Sequence, residues 1–205
     1  MEDVMNPGVL SLGKGAIKVA TIGDSLTYGY GLDNRMQDAY PSILLEKLGS
    51  HYRVSNFGLS GRSLLSTTEY PYLQEKNALL SLESEADIVI IMIGSNDSRP
   101  TFWNRNQFVK EYRELVDLYV SMTSQPDVLL VVPPYIPTSR FGLNNDVVRD
   151  DLQEIIPQIA TEYHLPFVNL YPVTEGHLEY YSDGLHLTPL GNRVIAEAIY
   201  SALMQ

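Results

Sequence analysis

Cysteine is absent from this chain of 205 residues. That excludes iron–sulfur clusters, thiolate zinc sites and a cysteine nucleophile, because each needs a sulfur. Basic residues are scarce: 14 Lys and Arg stand against 25 Asp and Glu, for a formal net charge of −11 with no basic run. Such a surface repels polyphosphate backbones, so nucleic acid is excluded as a partner. Long apolar runs are missing as well. The longest, residues 88–94, has seven residues with its glycine counted, far short of the roughly eighteen that a membrane span requires. The first residues carry Glu2 and Asp3, where a secretory signal would place Lys or Arg ahead of an apolar block. A cytoplasmic location is therefore expected for the sequence as it stands, and a secreted or periplasmic one if a leader has been removed.

What is present is an alternation of short β-rich runs with longer segments of helical spacing, the signature of βαβ units. Strands are expected at residues 17–22, 52–57, 87–93, 128–133 and 167–170, and helices at 40–48, 72–82, 106–122, 147–163 and 189–203. Three of the strands are nearly continuous in Val, Ile and Leu, which suits parallel strands covered on both faces. Thr188 followed by Pro189 reads as a helix N-cap with proline at the first helical position. No repeat, low-complexity tract or linker divides the chain, so one domain over residues 1–205 is expected. The fold class is α/β: a three-layer α/β/α sandwich on a five-stranded parallel sheet, in the flavodoxin-like order 2-1-3-4-5. Ligands in such sheets bind beyond the carboxyl ends of the strands.

Polar residues at those ends are the first candidates for chemistry. Gly23-Asp24-Ser25-Leu26 follows the first strand, Asn56-Phe57-Gly58-Leu59-Ser60-Gly61 the second, and Gly94-Ser95-Asn96-Asp97 the third. Asp183-Gly184-Leu185-His186 precedes the last helix. Taken singly, each has a structural reading as a turn or a helix cap. Together they lie where the fold brings four segments to one edge. A serine hydroxyl needs a base to take its proton, and an imidazole, with an intrinsic pKa of about 6.5, suits that task near neutral pH. Ser25 is then the nucleophile, His186 the base, and Asp183, three positions earlier, the group that orients the ring. The backbone N–H groups of Ser25 and Gly58 and the side-chain amide of Asn96 supply an oxyanion hole.

These four blocks resemble those of the SGNH hydrolase superfamily, also called the GDSL esterase/lipase family. Its initials correspond to Ser25, Gly58, Asn96 and His186, and Asp183 is the aspartate of its D-x-x-H block. The resemblance runs from Gly23 to His186 and into the last helix. It implies a serine esterase with the serine on a loop after the first strand and with no metal or organic cofactor. Competing motifs fail. Neither Gly-x-Ser-x-Gly nor Gly-x-Gly-x-x-Gly occurs, and residues 8–15 nearly spell a P-loop but end in Gly15 instead of Ser or Thr. The histidines at 51, 164, 177 and 186 have no metal-binding spacing. Asn96-Asp97-Ser98 matches a glycosylation sequon, which is read as coincidence because a sugar there would block the oxyanion hole.

Specificity should reside in the loops at 62–72, 98–104, 134–145 and 171–182, which are rich in aromatics: Tyr70, Tyr72, Phe102, Trp103, Tyr135, Phe141, Tyr180 and Tyr181. Asp24, Trp103 and Tyr135 are the candidate substrate-binding residues. The segment 96–100 followed by Trp103 is similar to family members that remove O-acetyl groups from carbohydrates, so the expected partner is a small ester, an acetylated sugar. The alternatives are a broad short-chain esterase, thioesterase or lysophospholipase. A carbohydrate-binding module on a disabled hydrolase frame is the non-enzyme alternative. An acidic chain with no long amphipathic apolar stretch argues against attack on anionic lipid, so a membrane is not an expected partner.

Overall fold

The computed structural model describes residues 15–205. The acidic opening at 1–6 and, apart from Gly15, the near-P-loop at 8–15 lie outside the described residues. Strands β1 (Ile17–Gly23), β2 (Tyr52–Asn56), β3 (Ile88–Met92), β4 (Asp127–Val132) and β5 (Phe167–Asn169) form one sheet in the order β2-β1-β3-β4-β5, with every neighbouring pair parallel. This is the strand order read from the sequence.

Side chains alternate between the two faces of a strand, and both faces of the central strands are covered, which is why β3 and β4 are almost wholly apolar, whereas the edge strand β2 leaves Arg53, Ser55 and Asn56 exposed. Along β3, Val89 and Ile91 enter one core while Ile90 and Met92 enter the other. Along β4, Val128, Leu130 and Val132 divide from Leu129 and Val131 in the same way. The first core is closed by α4 (Lys76–Leu82), α5 (Arg105–Val120) and α6 (Gln153–Glu162), the second by α3 (Tyr40–Leu48) and α8 (Pro189–Leu203). Three further short helices lie in the connections: α1 (Ser25–Tyr28), α2 (Arg35–Asp38) and α7 (Tyr171–Thr174). No helix among the described residues is long and apolar enough to cross a membrane.

Two expected helices are broken. The segment expected at 72–82 is a 3-10 turn over Tyr72–Gln74, an extended Glu75, and then α4. Long-range partners hold the break: the Tyr72 N–H donates to Ser63 O at 2.8 Å and its hydroxyl to Phe57 O at 2.9 Å. Glu75 is drawn to Arg62, whose Nη2 lies 2.8 Å away. The segment expected at 147–163 opens as a π-helical turn over Val147–Leu152 before α6. The wide turn buries Val147, Val148 and Leu152 together while Arg149 and Asp150 stay outside. Thr188 caps α8 as its sequence suggests, its hydroxyl accepting from the Gly191 N–H at 3.2 Å.

Ile91 is fully buried in β3, between β1 and β4. Ile91→Ala should therefore lower stability by about 2–5 kcal/mol through lost burial and the cavity left behind. Urea unfolding measures it, and a loss below about 1 kcal/mol would show that the layer closes over the gap.

Candidate active site

β1 ends at Gly23, where an added Cβ would sit 2.3 Å from both Met92 O and Thr27 Oγ1, so the chain turns there with no side chain. Asp24 caps the short helix that follows, its Oδ1 accepting from the Leu26 N–H at 3.0 Å. Ser25 opens α1, and the N–H of a first helical residue has no acceptor within its helix.

The loop after β2 is laced onto this turn. The Phe57 N–H donates to Thr21 O at 2.9 Å and the Leu59 N–H to Gly23 O at 3.0 Å. Asn56 Nδ2 donates to Thr27 O at 2.8 Å. Gly58 then passes so close to α1 that a Cβ would stand 2.4 Å from Tyr28 N and 2.7 Å from the Thr27 carbonyl carbon, contacts with backbone that cannot yield. The Gly58 N–H, expected as an oxyanion donor, donates to Asn56 Oδ1 at 2.9 Å in this structure.

After β3 a 3-10 turn over Asn96–Ser98 carries the next block, with all three residues buried. Asn96 Nδ2 donates to Arg62 O at 2.9 Å and points toward Asp24 Oδ2 at 3.4 Å. Asp97 accepts from the Leu65 N–H at 2.7 Å and the Leu64 N–H at 3.0 Å, fastening the 62–65 loop beside Asn96.

The fourth block folds around Asp183. Its Oδ1 accepts from the backbone N–H groups of Leu185 and His186 at 3.0 and 2.8 Å, and its Oδ2 accepts from His186 Nδ1 at 2.7 Å. A carboxylate only accepts, so the proton sits on Nδ1 and leaves Nε2 as an acceptor. The hydroxyl of Ser25 donates to that Nε2 at 3.1 Å, across 161 positions of sequence. Ser25 is 6% and His186 7% exposed, so the pair meets almost out of solvent.

Three carboxyls in these blocks differ in proton affinity. Burial, with help from the nearby Asp97 charge, pushes Asp24 up from 3.8 to about 7 against the hydrogen bond from Leu26. Burial pushes Asp97 up to about 6 against its two leucine N–H donors. For Asp183, partial burial acts in the same direction. The His186 ring and the His186 and Leu185 N–H groups outweigh it and hold the carboxyl below the ordinary Asp value.

The loop aromatics are placed differently from expectation. The Trp103 indole N–H donates to Asp151 Oδ2 at 3.0 Å and the ring packs on Phe108, 5.1 Å between centroids. The Tyr135 ring packs edge-on against Tyr171 at 5.6 Å, and its carbonyl accepts from the Tyr181 hydroxyl at 2.7 Å. Both rings, expected among the substrate-binding residues, thus pack against neighbouring side chains. The rings set against the His186 imidazole are Tyr30 at 4.5 Å and Phe141 at 5.4 Å. Phe141 stands among the loop aromatics of the sequence, but Tyr30 was missed. The signal for it was local: Tyr30 lies between Gly29 and Gly31, both at positive φ (86° and 82°), so it tops a tight turn beside the serine block. It is 51% exposed. Asp24, expected among the substrate-binding residues, is buried and hydrogen-bonded within the blocks. Among the described residues no cluster of three or more His, Asp or Glu side chains is arranged to hold a metal ion. A surface depression of about 830 Å³, lined by Met36, Ile43, Lys47 and Arg193 among others, contains none of the block residues.

The Asp24 carboxyl gives a signed pH prediction. A carboxyl whose affinity for its proton is higher folded than unfolded adds stability below about pH 4, and that contribution is lost as pH rises through its folded value of about 7. The stability of the wild type minus that of Asp24→Asn should therefore fall steadily between pH 4 and 7 in urea unfolding. A difference independent of pH would show that the buried carboxyl is not raised.

Residues 21–194 match the GDSL-like Lipase/Acylhydrolase family. The chain is similar to a curated acetylxylan esterase from Xylanibacter ruminicola, 29% identical over 211 residues, and spans 92% of its own length but 43% of that protein's. Among solved structures it is similar to a carbohydrate acetylesterase from Sinorhizobium meliloti, with 20% identity and a TM-score of 0.74 over 92% of this chain and 98% of that one. It is also similar to the native aryl esterase of M. smegmatis, with 24% identity and a TM-score of 0.72 over 92% and 99%. At these identities the structural likenesses speak for the fold. A family match over most of the chain, joined to the four blocks on one sheet edge, leads to one conclusion: the chain belongs to the GDSL-like lipase/acylhydrolase family.

Proposed function

We propose that this chain is a carboxylic ester hydrolase acting through Ser25, His186 and Asp183, and that its substrates are O-acetylated carbohydrates. The observation that carries the reading is the continuous hydrogen-bonded line from Ser25 Oγ to His186 Nε2 at 3.1 Å and from His186 Nδ1 to Asp183 at 2.7 Å.

In this reading Ser25 Oγ attacks the ester carbonyl carbon as its proton passes to His186 Nε2, and Asp183 stabilises the imidazolium that forms. The negative oxygen of the tetrahedral intermediate is met by the Ser25 N–H and by Asn96 Nδ2. Collapse breaks the bond to the alcohol, which leaves with the proton from Nε2 and keeps the acyl group on Ser25. Water then repeats the sequence: His186 takes its proton, the hydroxide adds to the acyl carbon, and acid is released as Ser25 recovers a proton.

Support for a carbohydrate substrate comes from the likeness to the acetylxylan esterase. A depression of about 430 Å³ also borders Arg99, which holds Asn96, and its lining includes Ser63, Thr68, Tyr70 and Phe102. The exposed Tyr70 ring there suits stacking on a sugar. A second reading, a short-chain aryl esterase, is favoured by the Tyr30 and Phe141 rings beside His186, since aromatic faces also receive an aryl leaving group.

Hydrolysis of acetylated xylo-oligosaccharides compared with acetyl to decanoyl nitrophenyl esters, with Ser25→Ala as the blank, separates the two. Faster release of acetate from the sugars supports the carbohydrate reading, and turnover of aryl esters alone selects the second. Ser25→Ala and His186→Ala should each lower kcat by about 10⁴-fold or more, and the double variant should be little worse than either, because the two act as a unit. Strictly multiplying losses would break the pairing. Asn96→Ala should lower kcat by about 10²–10³-fold, and an unchanged kcat would remove it from the oxyanion hole.

A further inference from the structure

Asn96 is held from two sides. On its amide side Nδ2 faces the Arg62 carbonyl at 2.9 Å and Asp24 Oδ2 at 3.4 Å. On its carbonyl side stands Arg99, whose Nη1 donates to Asn96 Oδ1 at 3.2 Å and to Asn96 O at 3.1 Å. The same guanidinium reaches the loop beyond β4, where Nε donates to Phe141 O at 3.3 Å. The Phe141 ring is one of the two against His186. One side chain thus touches both the Asn96 carboxamide and the backbone of the residue that walls the imidazole.

The two ends of a primary amide have nearly the same shape and opposite hydrogen-bonding character, so only their partners decide which end faces which way. A guanidinium offers donors alone and is satisfied by Oδ1 but not by Nδ2. Turning the amide over would set its NH₂ against Arg99 and its oxygen against the Arg62 carbonyl and the Asp24 carboxyl. A cation bonded to Oδ1 also draws electron density from the amide nitrogen, which makes its N–H groups stronger donors.

We propose that Arg99 is a positioning residue for ester hydrolysis: it fixes Asn96 with Nδ2 toward the Asp24–Ser25 turn and polarises that amide as an oxyanion donor. The inference rests on the reading of Asn96 given above. Arg99 makes no hydrogen bond to Ser25 or His186; of its two contacts, with Asn96 and with the Phe141 carbonyl, only the first reaches an oxyanion donor, so its effect on the tetrahedral species passes there. Loss of Arg99 should then weaken stabilisation of the tetrahedral species and leave ground-state binding of the ester nearly unchanged.

The test compares Arg99→Met in the wild-type and in the Asn96→Ala background, on an acetyl ester that the wild type hydrolyses. In the wild-type background kcat should fall roughly ten- to fiftyfold, a fraction of what a whole oxyanion donor is worth, with KM within about threefold. In the Asn96→Ala background the same substitution should change kcat by less than about threefold, because the group it acts through is gone. Phenylboronic acid gives a second readout, since Ser25 Oγ adds to boron and forms a tetrahedral anion that resembles the intermediate. Its Kd should weaken in Arg99→Met by about the factor lost in kcat.

An unchanged kcat, an equal loss in both backgrounds, or a loss of kcat with boronate affinity intact would each overturn the proposal. If Arg99→Met does not fold, Arg99→Lys serves in the same comparison, because lysine keeps the charge but lacks the fork that spans Asn96 and Phe141. Turnover by the wild type that is indifferent to Arg99 removes this inference alone. A wild type that hydrolyses no ester and gains no label on Ser25 from an organophosphonate removes the hydrolase reading and this inference with it.

Discussion

An all-parallel sheet returns the chain to the same edge after every strand, and that constraint governs the rest of this molecule. Each crossover carries the backbone over a face of the sheet and back to the starting end, so every strand-to-loop junction opens on one side. Residues that are far apart in sequence are thereby brought to the same edge. Ser25, Gly58 and Asn96 follow three adjacent strands of the order β2-β1-β3-β4-β5. His186 arrives from the turn that leads into α8, whose apolar face closes the second core. The packing that makes the central strands apolar on both faces is therefore also what assembles the polar edge.

At that edge three aspartates act as brackets. Asp24 accepts from Leu26, Asp97 from Leu64 and Leu65, and Asp183 from Leu185 and His186. Each spends oxygen lone pairs on backbone N–H groups that a turn leaves without a ladder partner. Their surroundings separate them chemically. Asp24 and Asp97 lie beneath the surface, where burial favours the neutral carboxyl. Asp183 gathers enough donors to stay charged, which is the state in which it holds a proton on the facing imidazole nitrogen. Arg99 fits the same pattern from the opposite sign, as a fork of donors among carbonyl oxygens.

Much of this was legible beforehand. Strands β3 and β4 fall where continuous Val, Ile and Leu runs placed them, because burial on both faces leaves no room for polar alternation. The helices at 40–48 and 189–203 match their sequence signals residue for residue. The helix expected at 72–82 breaks at Glu75 because an arginine from another loop draws that residue out, an interaction no local spacing encodes. Gly58 is required for a reason the sequence does state, close backbone approach, yet its N–H is engaged by Asn56, two residues away. Trp103 looked like a cleft residue by its position after the asparagine block. Asp151, 48 positions on, anchors its indole N–H, a contact no local spacing encodes.

By itself the sequence determined the layer architecture, the strand order and the four polar blocks, because hydrophobic period, turn chemistry and residue type are local properties that survive in a linear reading. Only the tertiary structure decided which side chains touch. The meeting of Ser25 with His186, the rings of Tyr30 and Phe141 against that imidazole, and the grip of Arg99 on Asn96 all depend on loop paths. Those paths are set by hydrogen bonds between segments far apart in the chain, and such bonds take their geometry from the packed sheet and not from neighbouring residues.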